Sequence, residues 1–261
     1  MVSNKNNAVS LVTIVIPSFN QGQFLEECIS SIFRQNIPVE VYVMDGGSTD
    51  NSINIIKKWE AQLTGWRSHT DKGQAAAINE GVALGSAPYI YWLNSDDYLL
   101  PDKIQSLIGE LENHPEASMA YGCVNNFIES TGRVYPVWVE PFSLSRLAKR
   151  CIISQPGVLI RREAWDAVGG LNYHLDMAMD YDLWWRLYQQ AGNPIFLEEL
   201  IAVNRVHKAT KTQMHRVKHY REAMAIVKKH HGSIPLKWYL FQPYAVWYKI
   251  LISKQYGYVD F

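Results

Sequence analysis

Acidic side chains at three widely spaced places are the residues best suited to chemistry. Asp45 closes the apolar run 39–44, Asp96 and Asp97 close the run 89–93, and Asp180 opens an aromatic stretch that reaches Trp185. Carboxylates at the carboxyl ends of buried strands converge on the crevice where open α/β sheets bind ligands. Two adjacent acids at one strand mouth repel each other, and a divalent cation offsets that repulsion while accepting phosphate oxygens as further ligands. The pattern points to a metal-bound nucleotide and to group transfer.

Each of these residues also has a plainer use. Asp96 and Asp97 precede Tyr98, Leu99, Leu100 and Pro101, and a polar turn accounts for them equally well. Beside Asp45, Gly46 and Gly47 allow a ligand close to the backbone while the acid accepts a base N–H, although turn chemistry alone also suits the segment. Asp71 stands just before a helical pattern, where it either steadies a nucleotide or caps the helix, and the local residues favour the cap. Asp180 and Asp182 lie two apart at a helix start and point in different directions, so one can cap while the other faces the crevice as general base. His207 follows a strand pattern and either packs or reaches the metal.

These residues need a scaffold. The run 11–16 reads as a strand buried on both faces and stopped at Pro17, followed by a helical apolar stripe over 24–35. Strand patterns recur at 39–44, 66–69 and 89–93, alternating with helices at 52–63, 74–84 and 101–113, the last with Pro101 in its first turn. This alternation predicts a mostly parallel, Rossmann-like central sheet with right-handed crossovers and flanking helices. Beyond it, short strands at 117–123, 126–129 and 134–139, joined by turns such as 130–132, predict a smaller mixed sheet on the acceptor side. Helices are expected at 162–168, 182–190 and 215–230.

Composition narrows the function classes. The 25 basic residues balance 25 acidic ones, which argues against wholesale nucleic-acid binding. The charges are segregated, however: eleven of the basic residues and only two acids fall from Arg205 onward. Cys28, Cys123 and Cys151 lack metal-type spacing and are odd in number, which fits a reducing compartment. No Gly-rich phosphate loop or G-x-G-x-x-G fingerprint follows a strand, which disfavours a sugar-phosphate nucleotidyltransferase and a dinucleotide-dependent oxidoreductase. After the polar stretch 1–10 come about six apolar residues, too few for a secretory segment, so a cytoplasmic chain is expected. Lysines and a proline interrupt the aromatic stretch 235–252, making it a poor membrane span. It suits the boundary of an anionic bilayer, or else packs on the body or on another subunit of an oligomer.

The motifs, in this order, resemble the family 2 glycosyltransferases, which have the GT-A fold and typically serve bacterial cell-surface polysaccharide assembly. The resemblance spans roughly 11–215 and runs through Pro17-Ser18-Phe19-Asn20, Asp45-Gly46-Gly47, Asp71-Lys72-Gly73-Gln74, Leu93-Asn94-Ser95-Asp96-Asp97, Gln155-Pro156-Gly157, Gly169-Gly170-Leu171 and Met179-Asp180-Tyr181-Asp182. It implies a glycosyltransferase domain at 11–215, with a nucleotide-binding half at 11–115 and an acceptor half at 116–215. A flexible N-terminus (1–10) and a basic, aromatic-rich helical extension (216–261) would flank it. By the same resemblance Pro17, Ser18, Phe19, Asn20, Asp45, Asp71, Gln74, Asn94 and Asp96 hold the nucleotide sugar, and Asp96, Asp97 and His207 hold Mn²⁺ or Mg²⁺. Asp180 matches the base. Asn94 departs from the pattern, standing where many members carry the first Asp of an Asp-X-Asp motif. The implied reaction is inverting transfer of a sugar from a UDP, GDP or dTDP donor to a glycan or lipid-linked acceptor, on the inner face of the membrane. A non-catalytic nucleotide-sugar-binding scaffold of an assembly complex is the alternative.

Overall fold

The computed structural model describes residues 9–248; the readings made for 1–8 and 249–261 lie outside them. Strand β1 (Val12–Ser18) is buried at every position, as an apolar run must be when helices cover both sheet faces. After it come α1 (Gly22–Phe33), β2 (Val39–Asp45), α2 (Ser52–Trp59), β3 (Gly65–Ser68), α3 (Gln74–Leu84) and β4 (Tyr89–Trp92). These four strands are parallel and lie in the order β3-β2-β1-β4. The chain leaves β1 to one side and later returns on the other. That reversal opens a crevice at the carboxyl ends of β1 and β4.

The second half adds β5 (Tyr98–Leu99), α4 (Lys103–Asn113), β6 (Met119–Ile128), β7 (Val134–Pro136), α5 (Leu144–Leu147), β8 (Val158–Arg161), α6 (Arg162–Val168), α7 (Met179–Ala191) and β9 (Ile195–Val206). Strand β8 runs antiparallel to both β4 and β6, while β6 and β9 are parallel, so the mixed strands expected as a smaller sheet instead extend the same nine-stranded sheet. Helices α8 (Lys211–Met214), α9 (Arg216–His231) and α10 (Leu236–Gln242) then follow, and a π-helical turn covers Pro243–Tyr248.

Among the local readings that differ from the structure, two have a visible cause. Segments 117–123 and 126–129, expected as separate strands, are the single strand β6. A Cβ on Gly122 would meet the Ile201 side chain at 2.5 Å and the Glu199 carbonyl oxygen at 2.7 Å. The bare backbone lets β9 come close, and the pairing absorbs irregularities around residues 122–124 without turning. Pro101 lies before the first turn of α4, because Gln35 Oε1 accepts the N–H groups of Lys103 and Ile104 at 3.0 and 3.1 Å and sets the helix start.

The alternation of side chains along β1 divides the core in two. Val12, Ile14 and Ile16 pack with α1, α2 and α4, and Val15 faces α3, α6, α7 and α9. On that second face Trp92 is 1% exposed, stacked on Trp184 at 5.8 Å between ring centroids and edge-on to Trp165 at 6.0 Å. Tyr220, Ala223, Ile226 and Val227 of α9 and Trp238 of α10 join the same core. This part of the C-terminal region is therefore packed on the body.

Candidate active site

A cavity of about 600 Å³ occupies the crevice at the carboxyl ends of β1 and β4. Pro17, Ser18 and Phe19 line it from the end of β1, Asp71 and Gln74 from the start of α3, and Asn94 and Asp96 from the segment after β4. Asp180 lines it from the first turn of α7. Acids 109 residues or less apart along the chain, from Asp71 through Asp96 to Asp180, thus share one chamber. Phe19 is 61% exposed at its lip, whereas Ser18 is 5% exposed and its Oγ has no hydrogen-bond partner. A buried hydroxyl without a partner on a cavity wall is available to a ligand.

Asn94 knits the floor together. Its Oδ1 accepts Gln74 Nε2 at 2.7 Å, and its Nδ2 donates to Gln155 Oε1 at 3.1 Å and to Asp97 Oδ2 at 3.2 Å. Gln155 in turn donates to the Trp92 carbonyl at 2.8 Å. The neutral amide therefore serves as donor and acceptor at once, which a carboxylate at this position could not do.

Asp96 and Asp97 face opposite ways. Asp96 reaches the cavity, and its Oδ2 lies 3.0 Å from His207 Nε2. Asp97 is 2% exposed and is absent from the cavity wall; its Oδ1 accepts the Arg205 backbone N–H at 2.9 Å. Burial, followed by the charge of Asp96, pushes the Asp97 carboxyl well above the usual range. The Arg205 guanidinium pairs with Glu27 and Glu129 and lies 4.9 Å from the Phe24 ring, bracing the start of the His207 segment.

Two residues read as nucleotide contacts are engaged in loop structure. Asp45 is 0% exposed, and its carboxylate accepts the N–H groups of Gly47 and Ser48 together with the hydroxyls of Ser48 and Ser68. Asn20 adopts a left-handed conformation (φ 52°), and its Oδ1 accepts the Thr49 N–H at 2.8 Å. Neither lines the cavity, although their neighbours Met44, Gly46 and Gln21 do. Asp71 does line it while paired with Arg67 at 2.9 Å and accepting the Gly73 N–H at 2.8 Å, so it also shapes the entry to α3.

At the start of α7 the two acids separate. Asp182 is 1% exposed and turned inward, ion-paired with Arg186 and Lys229 and hydrogen-bonded to His230. Asp180 accepts only the Tyr181 N–H, at 2.8 Å, and enters no ion pair among the described residues. The other acids on the wall have side-chain partners: Asp71 pairs with Arg67 and Asp176 with Lys211 and Lys218, while Asp96 is hydrogen-bonded to His207. Burial raises the Asp180 carboxyl above its ordinary range, with the Tyr181 N–H and the nearby His219 pulling partly the other way. A partly buried, unpaired carboxylate with a raised pKa has the properties of a proton acceptor.

Several wall residues went unremarked in the sequence. Asp176, Asn204, Thr210, Lys211 and Thr212 surround the chamber, and only the basic bias after residue 204 hinted at Lys211.

The sequence model described as Glycosyl transferase family 2 matches residues 13–168, more than half of the chain. The chain belongs to this family. Among relatives of family 2, it is 29% identical over 231 residues to the hyaluronan synthase of Pasteurella multocida, a match covering 86% of this chain and 22% of that protein. It is 28% identical over 244 residues to the chondroitin synthase of Escherichia coli, covering 90% and 34% respectively. The chain thus spans about a third or less of the length of these relatives. Among solved structures it resembles S. aureus TarS 1–349 in complex with UDP-GlcNAc, at 17% identity and a TM-score of 0.69, over 84% of this chain and 66% of that one. It also resembles the mannosyltransferase PcManGT of Pyrobaculum calidifontis in complex with GDP-Man and Mn²⁺, at 16% identity and a TM-score of 0.64, over 95% and 76%. The fold is GT-A. The family 2 match ends at residue 168, so Asp180, His207 and Lys211 all lie beyond it.

Proposed function

We propose that this family 2 chain is an inverting glycosyltransferase, moving a sugar from a nucleoside diphosphate donor of the UDP, GDP or dTDP type to a hydroxyl of a glycan or lipid-linked acceptor in bacterial surface polysaccharide assembly. The observation that carries this reading is that Asp71, Asp96 and Asp180 line one cavity and that, of the three, only Asp180 has no hydrogen bond or ion pair to a side chain among the described residues. Asp180 accepts the acceptor's hydroxyl proton as that oxygen bonds to the anomeric carbon, and the bond from that carbon to the diphosphate breaks in the same displacement. The diphosphate departs with the bonding electron pair. Ser18 Oγ offers a free hydrogen-bonding group to the donor, and Phe19 an exposed ring beside it.

Mn²⁺ or Mg²⁺ fits this site as an ion held in part by the donor. Among the described residues no group of three or more His, Cys, Asp or Glu side chains is placed to hold a metal. Asp96 and His207 form a pair, and divalent ions in nucleotide sites commonly take one or two carboxylates, with phosphate oxygens and water supplying the rest. The bound ion would supply positive charge to the departing diphosphate. The complexes of relatives with UDP-GlcNAc and with GDP-Man and Mn²⁺ support this reading.

A thermal-shift panel of UDP, GDP and dTDP with and without Mn²⁺ tests the donor assignment, because a ligand that binds the native state raises Tm. One base should raise Tm, more so with Mn²⁺, and Asp96→Asn should abolish the Mn²⁺ increment. No response to any base would refute donor binding. Slow hydrolysis of the matching sugar nucleotide would separate an enzyme from a binding scaffold.

We also propose a cytoplasmic location, peripheral at the inner face of the membrane. No helix among the described residues is long and apolar enough to cross a membrane. Leu236, Tyr239, Leu240, Phe241 and Trp247 are at least half exposed, and Lys237 lies within electrostatic reach of Arg146, Lys149 and Arg150. Exposed aromatic and aliphatic groups beside cations suit an anionic bilayer surface. Co-sedimentation with anionic vesicles should weaken with salt and on changing Lys149 and Lys237 to Glu. Equal sedimentation of that variant would remove the proposal.

A further inference from the structure

Asp180 sits at the second position of α7, and the backbone just ahead of it has no cap of its own. The residue before the helix is Ala178, which offers no capping side chain. An uncapped helix start leaves N–H donors to be satisfied from elsewhere. The turn just ahead of it, residues 176–178, has its N–H groups gathered by Glu222, which lies 42 residues after Asp180 on α9. Its Oε2 accepts the N–H groups of Asp176 at 3.2 Å, Met177 at 2.8 Å and Ala178 at 3.1 Å. One carboxylate oxygen thus gathers three consecutive backbone donors, the geometry by which charge-assisted hydrogen bonds fix a loop.

The same turn is held from its other side. The Asp176 carboxylate pairs with Lys211 and Lys218, and Lys211 Nζ donates to the Asp176 carbonyl at 2.7 Å. Residues Asp176, Met177, Met179 and Asp180 all line the cavity, so the clamped backbone is itself cavity wall. His219, one turn before Glu222 on α9, lies near enough to Asp180 to influence its carboxyl, while burial favours the neutral imidazole. The rest of α9 is anchored in the core through Tyr220, Ala223, Ile226 and Val227. Glu222 therefore projects from a rigid element onto the turn that carries Asp180.

We propose that Glu222 is a positioning residue for the reaction: by holding the N–H groups of Asp176, Met177 and Ala178, it fixes the turn that aims the Asp180 carboxylate at the acceptor hydroxyl. This rests on the reading of Asp180 as the base. Glu222 does not line the cavity and acts through the backbone it holds. A displacement of about 1 Å at a reacting group can cost about 100-fold in rate, so loss of this clamp should appear in turnover while donor binding at Ser18 and Asp96 persists.

The test uses the full chain and the sugar nucleotide selected by the thermal-shift panel. Glu222→Ala should lower kcat by about 10-fold or more while leaving donor Kd, measured by calorimetry, within about twofold of wild type. Glu222→Asp keeps the charge but withdraws it by one methylene; it should show the same split and carries the test if the Ala variant does not fold. Glu222→Gln keeps a carbonyl acceptor and should restore most of the lost turnover. Wild-type kcat in the Ala or Asp variant overturns the proposal, as does a parallel loss of donor affinity, which would mean that the whole site had collapsed. Asp180→Asn is measured alongside: if it retains turnover, the base assignment fails, whereas an inactive Asp180→Asn beside a fully active Glu222→Ala removes only the clamp.

Discussion

Asp96 and His207 are 111 positions apart in the chain, and their side chains stand 3.0 Å apart at the edge of the cavity. One follows β4, the last of the first four parallel strands, and the other follows β9, from the mixed part of the sheet. The pairing is made by the sheet that joins the two halves, so these two side chains meet only when both halves are folded.

Replacing His207 with Ala should therefore weaken the joint binding of Mn²⁺ and nucleoside diphosphate. The expected loss is about 10-fold or more, given that even outer-shell partners of metal ligands are worth about 10–100-fold. Calorimetric titration of the nucleotide with and without Mn²⁺ measures it; unchanged affinity in Mn²⁺ would dissociate His207 from the ion.

Asn94 should matter to stability as well as to binding. Asn94→Ala leaves Gln74, Gln155 and Asp97 each short of a partner in a largely buried network. An unmet buried polar group costs about 1–3 kcal/mol, so a destabilisation within or above that range is expected in urea unfolding. Asn94→Asp, which removes the donor and brings a charge beside Asp97, should be no better tolerated. A midpoint equal to wild type in either variant contradicts the network.

Acid should loosen the junction of α7 and α9 through Asp182. Burial alone would raise this carboxyl, but hydrogen bonds from His230 and Arg186 hold it well below the usual carboxylate range. A folded-state pKa below the unfolded value of about 3.9 means that the stabilisation is fully present above that value and is lost as pH falls through the folded one. Unfolding midpoints recorded from pH about 5 downward should fall more steeply for wild type than for Asp182→Asn. Parallel slopes would show that the ion cluster contributes nothing to the pH dependence.

The parts of the site legible in the sequence are those set by local pattern. Asp96 after an apolar strand and Asp71 before an Ala-rich helix could be placed at strand and helix ends, and the structure puts both on the cavity wall. Helix α6 was readable to the residue, and α3 likewise, because their apolar spacing is unbroken. Asp45 and Asn20, assigned to the nucleotide sugar by resemblance, are engaged in loop structure, with partners Ser68 and Thr49 that approach only when the loops fold together. Strand β5, of two residues, is too short to carry a periodic signal. Glu222 was invisible for a different reason: a lone acid in a basic helix has no sequence mark that says which distant backbone it will hold.

The transfer step is tested most directly by Asp180→Asn, assayed for nucleoside diphosphate release from the matching sugar nucleotide and, in parallel, for donor affinity. Affinity should be unchanged and release should fall by about 10²–10⁴-fold, the range that a positioned general base contributes. Release at the wild-type rate would contradict the assignment of Asp180 and, with it, the account of how this cavity transfers a sugar.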